Sequence, residues 1–254
     1  MPEVPSGGTN GAARAVAAAP ARESAAMRKA GLVQQFPLFA GASQADCREI
    51  VSAARETEYS RRDTLFLEGD PVRSVILLIS GSAKVMQFGQ NGTEVILRLV
   101  GPGEVVGMVG FCVQCQHCSM AQTLSAATAL VWEANVFEAL TERFPVLRRN
   151  IVNVVSQRLQ DLEERYREIS TEKVAVRLSH QLVRLFNQVG RRVNGNGTLE
   201  INLSREELAQ LTGTTLFTVS RLLSDWDERG VVSTRRESVS VHNVQALREL
   251  AESE

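Results

Sequence analysis

LSREELAQLTGTTLFTVSRLLSDWDERGVVSTRR, from Leu203 to Arg236, decides how this chain reads. Ser204 followed three residues later by Glu207 is a capping box, which starts a helix by satisfying its free N–H groups. Leu208 and Leu211 give that short helix an apolar side. Gly213 breaks it, and the hydroxyls of Thr214 and Thr215 offer a cap for a second helix. In that helix Val219, Leu222, Leu223 and Trp226 share one face, while Phe217, Ser220, Arg221 and Ser224 share another. A helix, a tight glycine turn and a helix with a short polar reading face form the helix-turn-helix pattern. Gly230 ends the second helix, and VVSTRRESVSVH alternates like a two-stranded wing.

The totals limit what surrounds this motif. The chain has 254 residues, enough for two modest domains, and a net charge of −1. With no overall basic bias, a nucleic-acid partner must be held by local patches: Arg205, Arg221, Arg235 and Arg236 at the motif, and Arg191 and Arg192 before it. Four cysteines are too few for a disulfide scaffold, and three are crowded together, which points to metal or redox chemistry in a reducing compartment. No apolar run approaches membrane-spanning length. Arg14, Pro20, Arg22 and Glu23 interrupt the Ala-rich start, so it makes a poor signal peptide. These features predict a cytoplasmic protein with no membrane partner. The three histidines, His117, His180 and His242, lie in no nucleophile–base motif, so no enzyme is expected.

Residues 1–28 are rich in Ala, Gly, Pro and Ser and read as a disordered tail. A helix follows near Ser43–Ala54. From Glu56 to Glu133 short apolar runs (TLFLE, SVILLI, AKVMQF, TEVILRLV, ALVWEA) are separated by turn signals such as Asn91-Gly92. Strands at this spacing predict a β-roll or barrel. From Phe144 to Ile169 the period becomes helical, and Ile151, Val155, Leu159, Leu162, Tyr166 and Ile169 form a narrow seam between charged flanks. Such a seam suits a second copy of itself. A break near Ser170 precedes another helix, from Thr171 to about Val189. Gly190–Gly197 reads as a loop, and Thr198–Leu203 as a short strand into the capping box.

A β-roll, a long seam helix and a winged helix-turn-helix, in that order, resemble the CRP/FNR superfamily of bacterial transcription regulators. The resemblance covers residues 36–250. It is carried by FPLFAGAS, EGDPVRSVILLISGSAKV, GPGEVVG and GTTLFTVSRLLSDW. It implies an α+β chain: a double-stranded β-helix (jelly roll) for effector sensing over residues 29–143, a dimerisation helix over 144–170, and a winged helix-turn-helix over 171–254. It also implies a homodimer on a palindromic operator in double-stranded DNA, with RNA polymerase as a further partner. The DNA-binding set is Arg221, Ser220, Phe217, Thr215 and Thr218, with Arg205 beside them. Arg221 and Ser220 match the family's Ser-Arg pair, and an arginine can donate two bonds to guanine. Where many members carry Glu, this chain has Phe217, which could touch a thymine methyl or pack on the wing.

Members that bind cyclic nucleotide use a Glu for a ribose hydroxyl and an Arg-Ser pair for the phosphate. Here those positions hold Met108 and Cys118-Ser119. A thioether cannot accept from a ribose hydroxyl, and a thiol lacks the guanidinium fork, so no cyclic AMP or cyclic GMP is expected. Cys112, Cys115 and Cys118 stand there instead, as two Cys-x2-Cys intervals in series. That spacing can wrap an iron–sulfur cluster, with Cys47 or His117 as a fourth ligand. Thiol–disulfide sensing, zinc or another metal, and no cofactor are the alternatives. FNR-type members carry their clustered cysteines before the roll, and residues 1–46 contain none. Cys47, at an apolar helical position, also reads as core, and His117 as an exposed loop residue. The expected function is a redox-, gas- or metal-responsive transcription regulator. Its rivals are an iron–sulfur redox protein that does not bind DNA, and a constitutive DNA-binding dimer with inert cysteines.

Overall fold

A computed structural model describes residues 31–107, 115–193 and 198–253. The expected disordered tail lies outside them. Ser43 caps helix α1 (Gln44–Ser52) by accepting from the Asp46 N–H while the Asp46 carboxylate accepts from the Ser43 N–H. Among the described residues, eight strands follow: β1 (Arg55–Tyr59), β2 (Thr64–Phe66), β3 (Ser74–Ser80), β4 (Ala83–Phe88), β5 (Glu94–Val100), β6 (Val105–Val106), β7 (Met120–Thr123) and β8 (Ala127–Glu133). They form two antiparallel four-stranded sheets, ordered β1-β8-β3-β6 and β2-β7-β4-β5.

The apolar runs SVILLI and ALVWEA are continuous because their strands are buried on both faces. Ile76, Leu78, Ala129 and Val131 point into the roll, against Phe66, Val85, Val100 and Val106. Their neighbours Val75, Leu77, Leu130 and Trp132 point outward into a second cluster. Helices cover that outer side: α1, α2 (Ala134–Arg143) and the start of α3 (Pro145–Thr171). The Trp132 indole N–H donates to the Ile50 carbonyl at 2.8 Å, and the Asn150 amide donates to Leu38 and Ala40, both at 2.9 Å.

The α3 helix corrects two expectations. Ile151 is fully buried in that outer cluster, so it is a core residue and not part of an open seam. The helix also ends later than Ser170, at Thr171, and the non-helical junction is Glu172–Lys173.

Beyond the junction come α4 (Val174–Val189), β9 (Arg191–Val193), β10 (Thr198–Ile201), α5 (Arg205–Thr212), α6 (Leu216–Glu228), β11 (Val232–Arg235), β12 (Ser238–Val241) and α7 (Val244–Ser253). The wing belongs to a four-stranded sheet, β11-β12-β10-β9, and is not an isolated pair. Arg191–Val193, expected as loop, is strand because it pairs with β10. One cluster unites Leu178, Leu182, Leu208, Leu223 and Trp226 of this part with Ile96 and Leu99 of β5, so the winged helix packs directly on the roll.

Replacing Trp132 with Phe keeps an aromatic side chain but strips the donor from the Ile50 carbonyl and empties the volume of the second ring. Urea unfolding followed by circular dichroism is expected to show a loss of about 1–3 kcal/mol with an unchanged slope. A change within error would mean that neither the indole bond nor the second ring contributes anything net.

Candidate nucleic-acid interface and cysteine loop

The reading head is built as its sequence indicates. The Ser204 hydroxyl accepts from the Glu207 N–H at 3.2 Å, and Glu207 Oε2 accepts from the Ser204 N–H at 2.8 Å. Gly213 closes α5 in the left-handed region, at φ 62°, a conformation that costs glycine little. Thr215 caps α6 by accepting from the Thr218 N–H at 3.2 Å, and the two hydroxyls lie 2.9 Å apart. Val219, Leu222, Leu223 and Trp226 are buried. The opposite face presents Thr215, Phe217 and Arg221 exposed, with Thr218 and Ser220 half-buried. Phe217 is 78% exposed, so it does not pack on the wing. Arg205 is engaged with the wing: it donates to Thr234 Oγ1 at 2.7 Å, and the Thr234 N–H and hydroxyl both reach Asp227 Oδ2. The sequence reading missed Leu216, which is half-exposed beside Phe217.

The second site is the effector position of the roll. Met108 and Cys112 lie outside the described residues. The segment from Cys115 onward is pinned to the β2–β3 turn. The Val72 N–H donates to the Cys115 carbonyl, the Gly69 N–H to the His117 carbonyl, and the His117 N–H to the Asp70 carbonyl, each at 2.8 Å. His117 is not an exposed loop residue. It is 6% exposed and stacks on Phe66, with centroids 3.7 Å apart and planes within 7°. Burial lowers its pKa, and Asp70 partly opposes the shift. Behind Phe66 lies Gly107 at φ 74°, where a Cβ would meet the ring at 2.6 Å. The Gly107 carbonyl accepts from Arg158 of α3 at 2.8 Å, and the Val105 carbonyl accepts from Arg158 at 2.5 Å and Arg98 at 3.0 Å. Arg165 reaches the Leu97 carbonyl in the same way. Burial and the neighbouring Arg158 push Arg98 down to about 10, against Glu104; burial also lowers Arg158, which Glu104 again opposes.

Cys118 is a free, exposed thiol, and Cys115 is disulfide-bonded. Cys47 is fully buried beside Ile50 and Val51, where burial and then Asp46 raise its pKa. This corrects Cys47 as a ligand: it is part of the core. With His117 stacked on Phe66, both candidates for a fourth cluster ligand are engaged elsewhere. Among the described residues, Cys47, Cys115 and Cys118 do not converge within 4.8 Å; the one group of metal-capable side chains that does is Glu168, Glu172 and His180. No described helix is long and apolar enough to cross a membrane.

A roll of this topology carrying a winged helix-turn-helix defines a DNA-binding transcription regulator. Residues 56–144 match the family described as cyclic nucleotide-binding domain, and residues 176–250 match the Crp-like helix-turn-helix domain. The CRP-like cAMP-activated global transcriptional regulator of Mycobacterium tuberculosis is 23% identical over 83% of this chain and 94% of its own length. The cyclic AMP receptor protein of Thermus thermophilus is 27% identical over 85% of this chain and 96% of its own. The solved structure of the c-di-GMP responsive global regulator CLP of Xanthomonas campestris superimposes with a TM-score of 0.68 at 21% identity, covering 79% of this chain and all of the other. The chain belongs to the CRP/FNR family of transcription regulators.

Gly107→Ala forces a left-handed alanine into the Phe66 ring. We expect a stability loss of about 1–3 kcal/mol and faster hydrogen exchange at the His117 amide. Unchanged exchange there would show that Gly107 and the His117 stack are not mechanically joined.

Proposed function

We propose that this protein is a homodimeric, sequence-specific DNA-binding regulator that responds to the oxidation state of its cysteine loop and not to cyclic nucleotide. The observation that carries the sensing half is the unbroken run of contacts from the loop to α3. His117, next to Cys118, stacks on Phe66; Phe66 lies against Gly107; and the Gly107 carbonyl is gripped by Arg158. Among the described residues, Cys47, Cys115 and Cys118 do not converge on one point, which gives a four-iron cluster no support from them. Thiol chemistry fits better. Two thiols become one disulfide, passing two protons and two electrons to a peroxide or to a small disulfide oxidant. Cys115 is disulfide-bonded in this structure, so the stack and the Arg158 grip described above are those of the oxidised loop; reduction to two thiols removes that covalent tether and lets them move.

The relatives named for cyclic AMP suggest that ligand. The phosphate-gripping position here, however, is the exposed thiol of Cys118, and the ribose-binding position is Met108. Dimerisation is supported by a stripe on α3. Val152, Val155, Leu159, Leu162, Tyr166 and Ile169, spaced 3-4-3-4-3, are each half or more exposed. Val152 takes the place expected for Ile151. Two such subunits set the α6 helices against half-sites about 34 Å apart in a palindromic operator. RNA polymerase is the partner through which binding would act.

Selection of bound duplexes from a random-sequence library tests this reading directly: a palindromic consensus is expected, bound differently by oxidised and reduced protein. Binding that ignores both sequence and thiol state would sink it. On the selected site Arg221→Ala should cost about 1–3 kcal/mol and relax one base position. An equal loss on random DNA would rule out base readout. Leu159→Asp should halve the mass seen by light scattering and abolish operator binding; a dimer that survives it refutes the seam.

A further inference from the structure

Two carboxylates and an imidazole meet where α3 gives way to α4. Glu168 stands in the last turn of α3, Glu172 follows its end, and His180 faces both from α4. Their donor atoms lie within 4.8 Å of one another. The Glu168 side chain is 5% exposed, that of Glu172 16% and that of His180 40%. The group is therefore closed on the carboxylate side and open to water beside the imidazole.

Hydrogen bonding does not account for the spacing. His180 Nδ1 lies 3.6 Å from Glu168 Oε1, beyond hydrogen-bond reach. It lies 3.2 Å from Glu172 Oε2, yet that oxygen is shut off from solvent and makes no hydrogen bond. A buried carboxylate oxygen left this way is costly. Two donors on one tetrahedral zinc, at bonds of about 2.0–2.1 Å, stand about 3.4 Å apart. The two observed separations bracket that value.

Arginines hold the carboxylates in place. Arg184 donates to Glu168 Oε1 at 2.5 Å and to Oε2 at 2.7 Å. Arg167 donates to Glu172 Oε1 at 3.0 Å, on the oxygen that faces away from the unbonded one. Arg177 donates to the Glu172 carbonyl, also at 3.0 Å. A carboxylate oxygen has two lone pairs, so Arg184 leaves one on Glu168 Oε1 for a metal. The nearby positive charges oppose a cation, so micromolar binding is expected.

We propose that Glu168, Glu172 and His180 bind a divalent transition metal of the zinc class, with water as a fourth ligand, and that this metal clamps α3 to α4. An imidazole with two carboxylates suits zinc, whereas calcium and magnesium take oxygen donors. The clamp bridges Glu172–Lys173, where the helix is broken, and so fixes the angle between α3 and the winged helix. It depends neither on the cysteine loop nor on the DNA-binding reading.

Protein with alkylated thiols, stripped of metal by a chelator, is titrated with zinc in a calorimeter. One zinc per chain is expected. His180→Gln and Glu172→Gln should each weaken it about tenfold or more. Glu164→Gln removes a neighbouring carboxylate that also pairs with Arg167 and acts on His180, and should leave zinc binding unchanged. Circular dichroism checks that each variant is folded. Zinc should also slow amide hydrogen exchange over residues 173–177 in the wild type and not in His180→Gln. Failure to bind zinc, equal binding by wild type and both ligand variants, or an equal loss in Glu164→Gln would overturn the site. Binding without slower exchange would overturn the clamp.

Discussion

The grip of Arg158 on the Val105 and Gly107 carbonyls joins the parts that have to act together. A buried guanidinium is costly unless its donors are filled, and here backbone oxygens fill them while Glu104 lies close enough to offset the charge. Arg98 approaches the same Val105 carbonyl, so two positive groups crowd one acceptor. This arrangement is stable only while β6 and Gly107 hold their shape. Gly107 in turn keeps its positive φ beside the Phe66 ring that carries His117. Loop, strand and helix are thus tied through a few directional bonds, and a change in one is felt by the others.

The same helix does two jobs on two faces. Its first turns are spent on the roll: Leu147, Asn150 and Ile151 are buried. Farther along, Arg158 and Arg165 turn inward to backbone carbonyls and leave the stripe from Val152 to Ile169 uncovered. In the proposed dimer, the residues that meet the partner are one helical step from those that hold the sensor. In that proposed dimer, a shift of the roll at Val105 pulls on Arg158 and so on the helix that carries the stripe.

What could be read from sequence follows from how local each cause is. The reading head was legible because its caps and its glycine act within four residues, and Ser204, Gly213 and Thr215 do what their chemistry dictates. The roll was legible because SVILLI and ALVWEA have no polar face. Choosing Ile151 over Val152 failed because both fit a helical period; only the packing of α3 on Trp132 and Phe137 decides which faces inward. His117 was misjudged because its partner, Phe66, lies far away in sequence and no local pattern announces a stack. Arg158 and Arg165 belong to the charged flanks of the seam, and their bonds to distant carbonyls leave no trace in spacing. Cys47 was ambiguous by nature, since a thiol is both a ligand and a small apolar side chain.

The shared core between the roll and the winged helix restricts how a signal could travel. Ile96 and Leu99 are buried against Leu178, Leu182 and the α5–α6 pair, and Gln188 donates to the Leu99 carbonyl at 3.0 Å. Swinging the winged helix away from its own roll would expose those two side chains, at about 1.5–3 kcal/mol each, and break the polar contacts beside them. In the proposed dimer, rotating one whole subunit against the other across the α3 stripe breaks none of these. A ligand or oxidation event shifts an equilibrium only by the difference it makes between two states. The route that leaves the shared core intact needs the smaller difference. In the proposed dimer, control of the recognition helices is therefore expected at the seam between subunits, with roll and reading head moving as one body.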